Sequence, residues 1–270
     1  MGARPLHYSI MVLDLERFGS RTNPEQERAR SALFSVVEEA LKDADVMPQH
    51  VAGVGDRGDG GFWLFPSGVS KVDLTGDVVE RLQMRLRAYA AEPGAQPLRL
   101  RLALHAGEVA RDERGWVGAD LNTACRLVDL DDLRRVLAAA ERSALALAVS
   151  QTWHDAVVRH EYPGLDSSAF RSVAFREKEV DSRAWIRVPG YDAPPGLGPV
   201  LVKPPEDGEE FGGSDADPDP DPDPGPGSGP APSAEQGSRF AGAVFHRVGR
   251  LYGGDHHETV RGDGTGRAER

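Results

Sequence analysis

Four polar residues at separated positions have side chains suited to phosphate chemistry: Asp14, Asp59, Asn122 and Arg126. Asp14 ends an apolar, strand-like run and Asp59 lies in a glycine-rich turn, and two carboxylates suit a hard divalent cation, which prefers oxygen ligands. Asn122 and Arg126 are four residues apart on a predicted helix and therefore share one face. An amide and a guanidinium suit the negative charge that develops on a phosphate. Together the four residues predict metal-assisted phosphoryl or nucleotidyl chemistry.

Each of these side chains also has an ordinary structural interpretation. Asp14 could cap the segment that follows it, and Asp59 is a common turn former. The amide could lie on an exposed helix face, and Arg126 could form an ion pair with Asp129 or Glu16. The chemical interpretation is favoured by the joint occurrence of all four residues, since any one of them alone indicates little.

The segments around these residues resemble the class III nucleotidyl cyclases, of which the chain looks like a divergent bacterial member. Five segments carry the resemblance, in the order of the family: residues 12–19, 57–60, 104–109, 118–127 and 176–185. The first two resemble the family's two metal-binding segments, and the third its strand Gly-x-His-x-Gly-x-Val. The fourth resembles the helix pattern Gly-x-x-Val-Asn-x-Ala-x-Arg, and the last a strand pair that supplies a phosphate-binding lysine.

The resemblance implies an enzyme that converts a nucleoside triphosphate to a 3′,5′-cyclic nucleotide and pyrophosphate for intracellular signalling, with immune or antiphage signalling as one setting. Asp14 and Asp59 would hold two divalent metal ions, Mg²⁺ or Mn²⁺. Asn122 would hold the ribose, Arg126 would neutralise charge on the α-phosphoryl group, and Lys178 would contact the triphosphate.

Two turns are expected to bind the substrate. Backbone amides of Phe18, Gly19 and Ser20 follow the first metal segment and would cradle phosphates. Arg57 and Gly58 precede the second carboxylate, and Arg57 is the candidate for reaching a base carbonyl. Since the family's carboxylates and its Asn/Arg helix come from different subunits, the resemblance implies a head-to-tail homodimer with two equivalent sites.

The chain departs from the purine cyclases at the two positions that select the base. Gly55 and Gly115 stand where the adenylyl pattern has Lys and Asp. Three outcomes therefore remain open: a different contact to a purine base, a pyrimidine nucleotide as the substrate, or no turnover. The alternative function is a catalytically inactive cyclase-like module, which dimerises or senses nucleotide and is recruited to a receptor through its C-terminal tail.

Composition limits the remaining choices. The chain has 270 residues and a formal net charge of −11, but ten acidic residues and no basic ones lie between Glu206 and Glu235, which leaves the rest nearly neutral. The sequence has no stripe of basic residues of the kind that binds nucleic acid, so nucleic-acid binding is not predicted. The single cysteine, Cys125, is expected in the core. Without a disulfide framework, a signal peptide or a membrane-spanning run, the sequence predicts a cytoplasmic protein with no membrane contact.

Three regions are predicted. Residues 1–190 form the cyclase-like domain, 191–236 an acidic, proline- and glycine-rich linker, and 237–270 a short tail. The alternation of elements predicts an α+β fold, a mixed sheet with helices on one face. The resemblance implies that this fold is the ferredoxin-like βαββαβ core of a class III cyclase homology domain. The tail resembles RHIM-like bacterial signalling-amyloid motifs, so a signalling partner is expected through residues 238–260. An unstructured tail is the alternative.

Overall fold

A single mixed sheet organises the computed structural model, which describes residues 4–177 and 180–197. Its strands are β1 (Leu6–Leu15), β2 (Gly53–Asp56), β3 (Gly60–Pro66), β4 (Leu100–Asp112), β5 (Gly115–Val117), β6 (Leu145–Ser150), β7 (Arg171–Glu177) and β8 (Val180–Arg187). Their order is β2-β3-β1-β4-β6-β8-β7, and β5 pairs with the far end of β4. Strands β4 and β6 run parallel, whereas the other neighbours are antiparallel.

Six α-helices connect these strands within the described residues: α1 (Asn23–Asp43), α2 (Lys71–Thr75), α3 (Asp77–Ala90), α4 (Ala119–Val128), α5 (Asp131–Ala139) and α6 (Gln151–Ala156). Short 3₁₀ turns occur at Phe18–Ser20, Pro48–His50, Val158–His160 and Ser167–Ala169. Helix α1 begins as its sequence predicts, because the Thr22 amide donates to Glu25 Oε2 at 2.8 Å and Pro24 occupies the first turn. None of the helices in the described part of the chain is long and apolar enough to cross a bilayer.

The predicted α+β fold with a mixed sheet is confirmed. The segment β1-α1-β2-β3-α3-β4 has the sheet order β4-β1-β3-β2, which is the ferredoxin-like arrangement. Helices α1 and α3 of this core pack on one face, as expected, against Met11 and Leu13. Helices α4 and α5, however, cover the opposite face, where α4 packs against Ile10 and Val12. Helices therefore lie on both faces, because β1 is apolar at consecutive positions and needs cover on each side.

Helix boundaries follow the sequence pattern less closely than the helices themselves. The apolar spacing over residues 73–89 predicts one helix, but Gly76, whose ψ is −84°, divides it between α2 and α3. The apolar spacing over residues 132–142 likewise predicts a helix, but α5 ends at Ala139, and residues 141–142 belong to the turn before β6. The first difference lies on the side of the sheet away from the candidate site, and the second lies at the far end of α5. The elements that position the site are unaffected.

The described chain continues past the predicted domain boundary at residue 190. Tyr191 packs beside the β6 and β8 layer, and its hydroxyl accepts a hydrogen bond from the Arg142 amide at 2.9 Å. The rest of the predicted linker and the whole predicted tail, residues 198–270, lie outside the described residues. The division into domain, linker and tail therefore stays a prediction.

Candidate functional site

Asp14 occupies the last part of the central strand β1. It is paired in register with Gly60 of β3 on one side and with Arg101 of β4 on the other. Because strand side chains alternate, Asp14 points to the same face as Ile10 and Val12, which is the face covered by α4. The apolar run that makes β1 a central strand thus places a carboxylate, only 3% exposed, at the end of a closely packed sheet.

Three charged groups surround the Asp14 carboxyl. The Arg101 guanidinium forms an ion pair with it across the two strands, and the Asp59 carboxyl lies within hydrogen-bonding range. Burial raises the pKa of Asp14 to about 7, because the charged form loses its hydration. The positive charge of Arg101 acts in the opposite direction, while the negative charges of Asp59 and Asp129 raise the pKa further. Burial and carboxylate repulsion therefore outweigh a direct ion pair.

The turn between β2 and β3 positions Asp59. The Leu15 amide donates to the Asp59 carbonyl at 2.8 Å, which ties the turn to the end of β1. Gly58 has a φ of +87°, and its amide donates to Asp56 Oδ1 at 2.9 Å. Asp56 also forms an ion pair with Arg30 of α1, so it serves the turn and the packing of α1. The glycine-rich sequence thus brings Asp59 beside Asp14.

Gly60 is the closest contact between the turn and β1. A Cβ atom on this glycine would lie 2.0 Å from the backbone oxygen of Leu13, a distance that real Cβ atoms do not reach. The residue after Asp59 therefore has to be glycine for the two strands to pair in their observed register. This steric requirement accounts for Gly60, whereas the positive φ of Gly58 accounts for the other glycine of the sequence Gly-Asp-Gly at residues 58–60.

Arg57 points from the same turn toward the C-terminal end of α4. Its Nη2 lies 3.5 Å from Asp129 Oδ2, and its side chain is 18% exposed. Its Nη1 is buried without a hydrogen-bond partner among the described residues. Arg57 also lies near enough to Cys125 to counter the burial that raises the pKa of that thiol. Arg57 therefore has a donor available next to the carboxylate cluster, and Gly58 is exposed beside it.

Asn122 and Arg126 lie on the outer surface of α4. The helix buries Leu121, Ala124 and its neighbours against β1, which leaves both polar residues exposed. Neither side chain makes a hydrogen bond or an ion pair with another residue in the described ranges 4–177 and 180–197. The structure therefore brings Asp14 and Asp59 together but does not join them to Asn122 and Arg126 within one chain. The pairing of Arg126 with Asp129 or Glu16 does not occur, since those acids pair with Arg57, Arg134 and Arg99.

The predicted phosphate turn, Phe18–Ser20, forms a 3₁₀ turn directly after β1. Ser20 directs both its hydroxyl, at 2.9 Å, and its amide, at 3.3 Å, to the carbonyl oxygen of Arg17, and Phe18 packs against the core. The Ser20 donors are thus engaged inside the turn. Gly19 is exposed with open space around its α-carbon. The predicted triphosphate contact Lys178 lies outside the described residues.

Two charged residues of the site, Arg101 and Asp129, were missed as site residues by the sequence reasoning. The alternation of leucine and arginine along β4 predicts a solvated face, whereas Arg101 is only 12% exposed. Arg101 and Asp14 are 87 residues apart in the sequence, and their pairing depends on the register of β4 against β1. No local sequence pattern could therefore indicate it. Asp129 was considered only as a partner of Arg126, and its role beside Arg57 depends on where α4 ends.

The donors present fit a magnesium-type ion that is shared with a phosphate ligand. Among the described residues, no group of three or more His, Cys, Asp or Glu side chains could hold a metal ion, so an all-protein cage is absent there. Mg²⁺ commonly takes one or two carboxylates and completes its shell with water and substrate phosphates. Asp14 and Asp59 supply such a pair, and their mutual repulsion is the electrostatic condition that a divalent cation would relieve.

The position that would hold the adenine-selecting lysine is closely packed. A Cβ atom on Gly55 would lie 2.1 Å from the ring of Phe62, which is itself buried at 4% exposure. A long side chain at Gly55 would therefore have to displace that ring from the face covered by α4. The other base-selecting position, Gly115, has a φ of +139° in the tight β4–β5 turn. Neither glycine supplies a side chain to a base.

Comparisons with known proteins found similar solved structures. No family model matches the chain, and no curated protein matches it. Similar solved structures include the guanylyl cyclase Cya2, with 19% identity, a TM-score of 0.48 and coverage of 70% of this chain and 93% of that chain. An adenylate/guanylate cyclase/hydrolase from Silicibacter pomeroyi has 17% identity, a TM-score of 0.47 and coverage of 70% and 99%. The guanylate cyclase domain of RhGC from Catenaria anguillulae, in complex with GTP, has 15% identity, a TM-score of 0.44 and coverage of 68% and 96%. At these identities and TM-scores the likeness assigns no activity to this chain.

Proposed function

We propose that the chain is a metal-dependent nucleotidyl cyclase, which converts a nucleoside triphosphate to a 3′,5′-cyclic nucleotide and pyrophosphate for intracellular signalling. The observation that carries the proposal is the contact between the Asp14 and Asp59 carboxyls at the end of a buried strand. Holding a second carboxyl beside the buried Asp14 carboxyl is unfavourable in itself, and perturbed acids of this kind cluster at functional sites. Antiphage or other immune signalling is the biological setting proposed for the product.

Asp14 and Asp59 would hold two Mg²⁺ or Mn²⁺ ions, which supply a lowered hydroxyl pKa and a counter-charge for the phosphates. Asn122 would hydrogen-bond the ribose so that its 3′-hydroxyl faces the α-phosphorus, and Arg126 would accept the charge that builds on the phosphoryl oxygens. Both side chains lie exposed and have no partner among the described residues, which supports a role toward a ligand. Losing such a donor typically raises the barrier by about 3–4 kcal/mol.

A head-to-tail homodimer is part of this proposal. Asn122 and Arg126 lie on the outer surface of α4, separate from the pair Asp14 and Asp59. One chain thus provides two incomplete halves, and a second copy in the opposite orientation would complete both at once. The expected monomer is inactive.

The remaining substrate contacts of the proposal come from two turns and a lysine. The backbone of Phe18, Gly19 and Ser20 would approach phosphate oxygens, although Ser20 would first have to leave the Arg17 carbonyl. Arg57, with its unpartnered Nη1, would donate to a base carbonyl, and Gly58 leaves open space beside it. Lys178 would contact the triphosphate. Since Gly55 and Gly115 offer no side chain, the base is chosen by other groups.

The first experiment is a product assay with Mn²⁺ and ATP, GTP, CTP or UTP supplied separately, read by mass spectrometry. We expect one cyclic nucleotide from the wild type and none from Asp59→Asn. Asp56→Asn is the matched control, because it removes a neighbouring acid of the same turn, whose partner is Arg30, and should retain activity. Equal product from wild type and Asp59→Asn would refute the assignment of the carboxylates.

A second experiment tests the shared site. Asp59→Asn and Arg126→Ala should each be inactive alone, whereas a mixed population forms heterodimers in which one of the two sites has only native residues. Random mixing at equal amounts should restore about a quarter of wild-type activity, since half of the dimers are mixed and each has one intact site. A mixture that stays inactive although native mass spectrometry shows mixed dimers would exclude the head-to-tail arrangement.

The second candidate function is a non-catalytic module that dimerises or senses nucleotide and reaches a cytoplasmic receptor through residues 238–260. The ion pair between Arg101 and Asp14 favours this candidate, because a guanidinium already neutralises one predicted metal ligand. Absence of any cyclic product from a dimeric protein, together with nucleotide binding by equilibrium dialysis, would support it over the enzyme.

A further inference from the structure

We propose that Arg101 holds Asp14 closed against divalent metal in the nucleotide-free protein, and that a triphosphate opens it by drawing the guanidinium away. Metal and triphosphate would then bind with positive coupling, and Arg101 would be the positioning residue responsible. The inference rests on the proposed function, since it takes Asp14 and Asp59 as the metal carboxylates. It adds a rule for the order of binding, which the carboxylates alone do not provide.

The first support is the geometry of the pair. Asp14 and Arg101 are register partners on adjacent antiparallel strands, and their side chains are 3% and 12% exposed. Nη2 of Arg101 donates to Oδ2 of Asp14, so the guanidinium covers an oxygen that a cation would need. A divalent ion at that oxygen would also meet the positive charge of Arg101 in a poorly hydrated site, where repulsion between like charges is large.

The second support is that Arg101 is not saturated. Its Nε is buried and has no hydrogen-bond partner among the described residues. A guanidinium carries five N–H donors in a planar fork that matches phosphate oxygens in pairs. A triphosphate entering beside Asp14 would offer more acceptors than the single carboxylate oxygen does, and this difference provides the driving force for release.

The third support is the contrast with Arg99, two residues earlier on the same side of the chain. Arg99 Nε lies 3.2 Å from Glu16 Oε2, and its Nη2 donates to the carbonyl oxygens of Leu137 and Ala140 at the end of α5. The Nε of Arg99, like that of Arg101, is buried without a hydrogen-bond partner among the described residues, but the Arg99 guanidinium is anchored by two backbone carbonyls and the charge of Glu16. Arg101 is held by the Asp14 carboxylate alone, so of these two arginines it is the less firmly anchored.

Coupling of this kind is reciprocal. If triphosphate removes Arg101 from Asp14, then metal at Asp14 must favour the form in which Arg101 is available to phosphate, by the same factor. Replacing Arg101 with an uncharged side chain should therefore strengthen binding of the metal alone and weaken binding of the metal complex of a triphosphate. A purely structural role for Arg101 would change both affinities in the same direction.

The test measures Mn²⁺ binding to the full chain by electron paramagnetic resonance, without nucleotide, and binding of manganese tripolyphosphate by calorimetry. Tripolyphosphate carries the phosphate chain without a base, so the unidentified base preference does not affect the result. Compared with wild type, Arg101→Met should bind Mn²⁺ alone about tenfold more tightly and manganese tripolyphosphate about tenfold more weakly, within the usual range of coupling. Arg99→Met is the matched control, for which we expect both affinities unchanged.

Arg101→Lys covers the case in which Arg101→Met fails to fold, since it keeps the charge but loses the planar fork. We expect it to retain weak binding of Mn²⁺ alone and to bind manganese tripolyphosphate less tightly than wild type. Equal Mn²⁺ affinities in all folded Arg101 variants and wild type would overturn the inference, provided that Asp59→Asn abolishes that binding. Mn²⁺ binding that does not depend on Asp59 would instead refute the proposed metal site itself.

Discussion

The buried carboxyl of Asp14 predicts that the metal-free protein loses stability as the pH rises toward neutrality. Its pKa in the folded state is about 7, compared with an ordinary value of 3.8. Between these values the folded protein keeps the proton and the unfolded chain does not, so the folded state binds more protons. The free energy of unfolding must then fall as pH increases through this window and level off above about pH 7.

The size of the effect follows from the shift. Each pH unit inside the window changes the stability by about 1.4 kcal/mol, so raising the pH from about 5 to 8 crosses roughly two units and removes at most about 3 kcal/mol. For a folded region of this size, 1 kcal/mol corresponds to about 2–4 °C in Tm. The expected decrease in Tm that is due to Asp14 is therefore about 6–12 °C as an upper bound.

The assay is thermal unfolding followed by circular dichroism in a chelator, at steps from pH 5 to pH 8. Burial lowers the pKa of His154, which stabilises the fold as the pH rises and so has the opposite sign. The informative quantity is hence the difference between wild type and Asp14→Asn. We expect the downward slope to vanish in Asp14→Asn, to persist in the control Glu16→Gln, and to shrink when Mn²⁺ is added to wild type. An unchanged slope in Asp14→Asn would refute the argument that burial controls this carboxyl.

Two further changes test the elements around the site. Gly60→Ala would place a methyl group 2.0 Å from the Leu13 oxygen, so we expect a loss of about 3 kcal/mol or more by urea unfolding. Gly58→Ala is its control, because it meets no atom within 4 Å and should cost only about 1–2 kcal/mol from its positive φ. Asp129→Asn removes one of the negative charges that raise the pKa of Asp14, so the pH at which the Asp14 contribution levels off should move downward in the same thermal assay.

The local parts of the site could be predicted from the sequence. An apolar run ending in Asp14 predicts a buried strand, and the glycine-rich turn before Gly60 predicts a hairpin, both of which the structure confirms. The helix from Ala119 is likewise confirmed, with Asn122 and Arg126 on one exposed face. These predictions succeed because hydrophobic period and turn chemistry depend on neighbouring residues. The assignment of roles to the same residues stays a prediction.

The non-local parts could not be predicted. Asp14 contacts Arg101 because β1 and β4 pair in one register, and a slip of one residue would direct the arginine to the opposite face. The same limit applies to the helices, since a strand apolar at every position does not reveal which helix covers which side. Sequence patterns therefore locate the carboxylates of Asp14 and Asp59. The position of the Arg101 guanidinium beside Asp14 depends instead on long-range strand pairing.

The distribution of charge around the site is consistent with the proposed second copy of the chain. In the acidic half, Asp14 and Asp59 face one guanidinium, that of Arg101, so this pair retains one negative charge when both acids are ionised, whereas Asp129 is paired with both Arg57 and Arg134. The opposite half is the outer face of α4, where Arg126 has no ion pair with any residue in the described part of the chain. A net negative site and an uncompensated guanidinium on separate surfaces are complementary, and complementary charge fixes orientation and accelerates encounter. A metal would reverse the sign of the acidic half, so we expect metal and triphosphate to act together, with the phosphates restoring the negative charge that Arg126 meets.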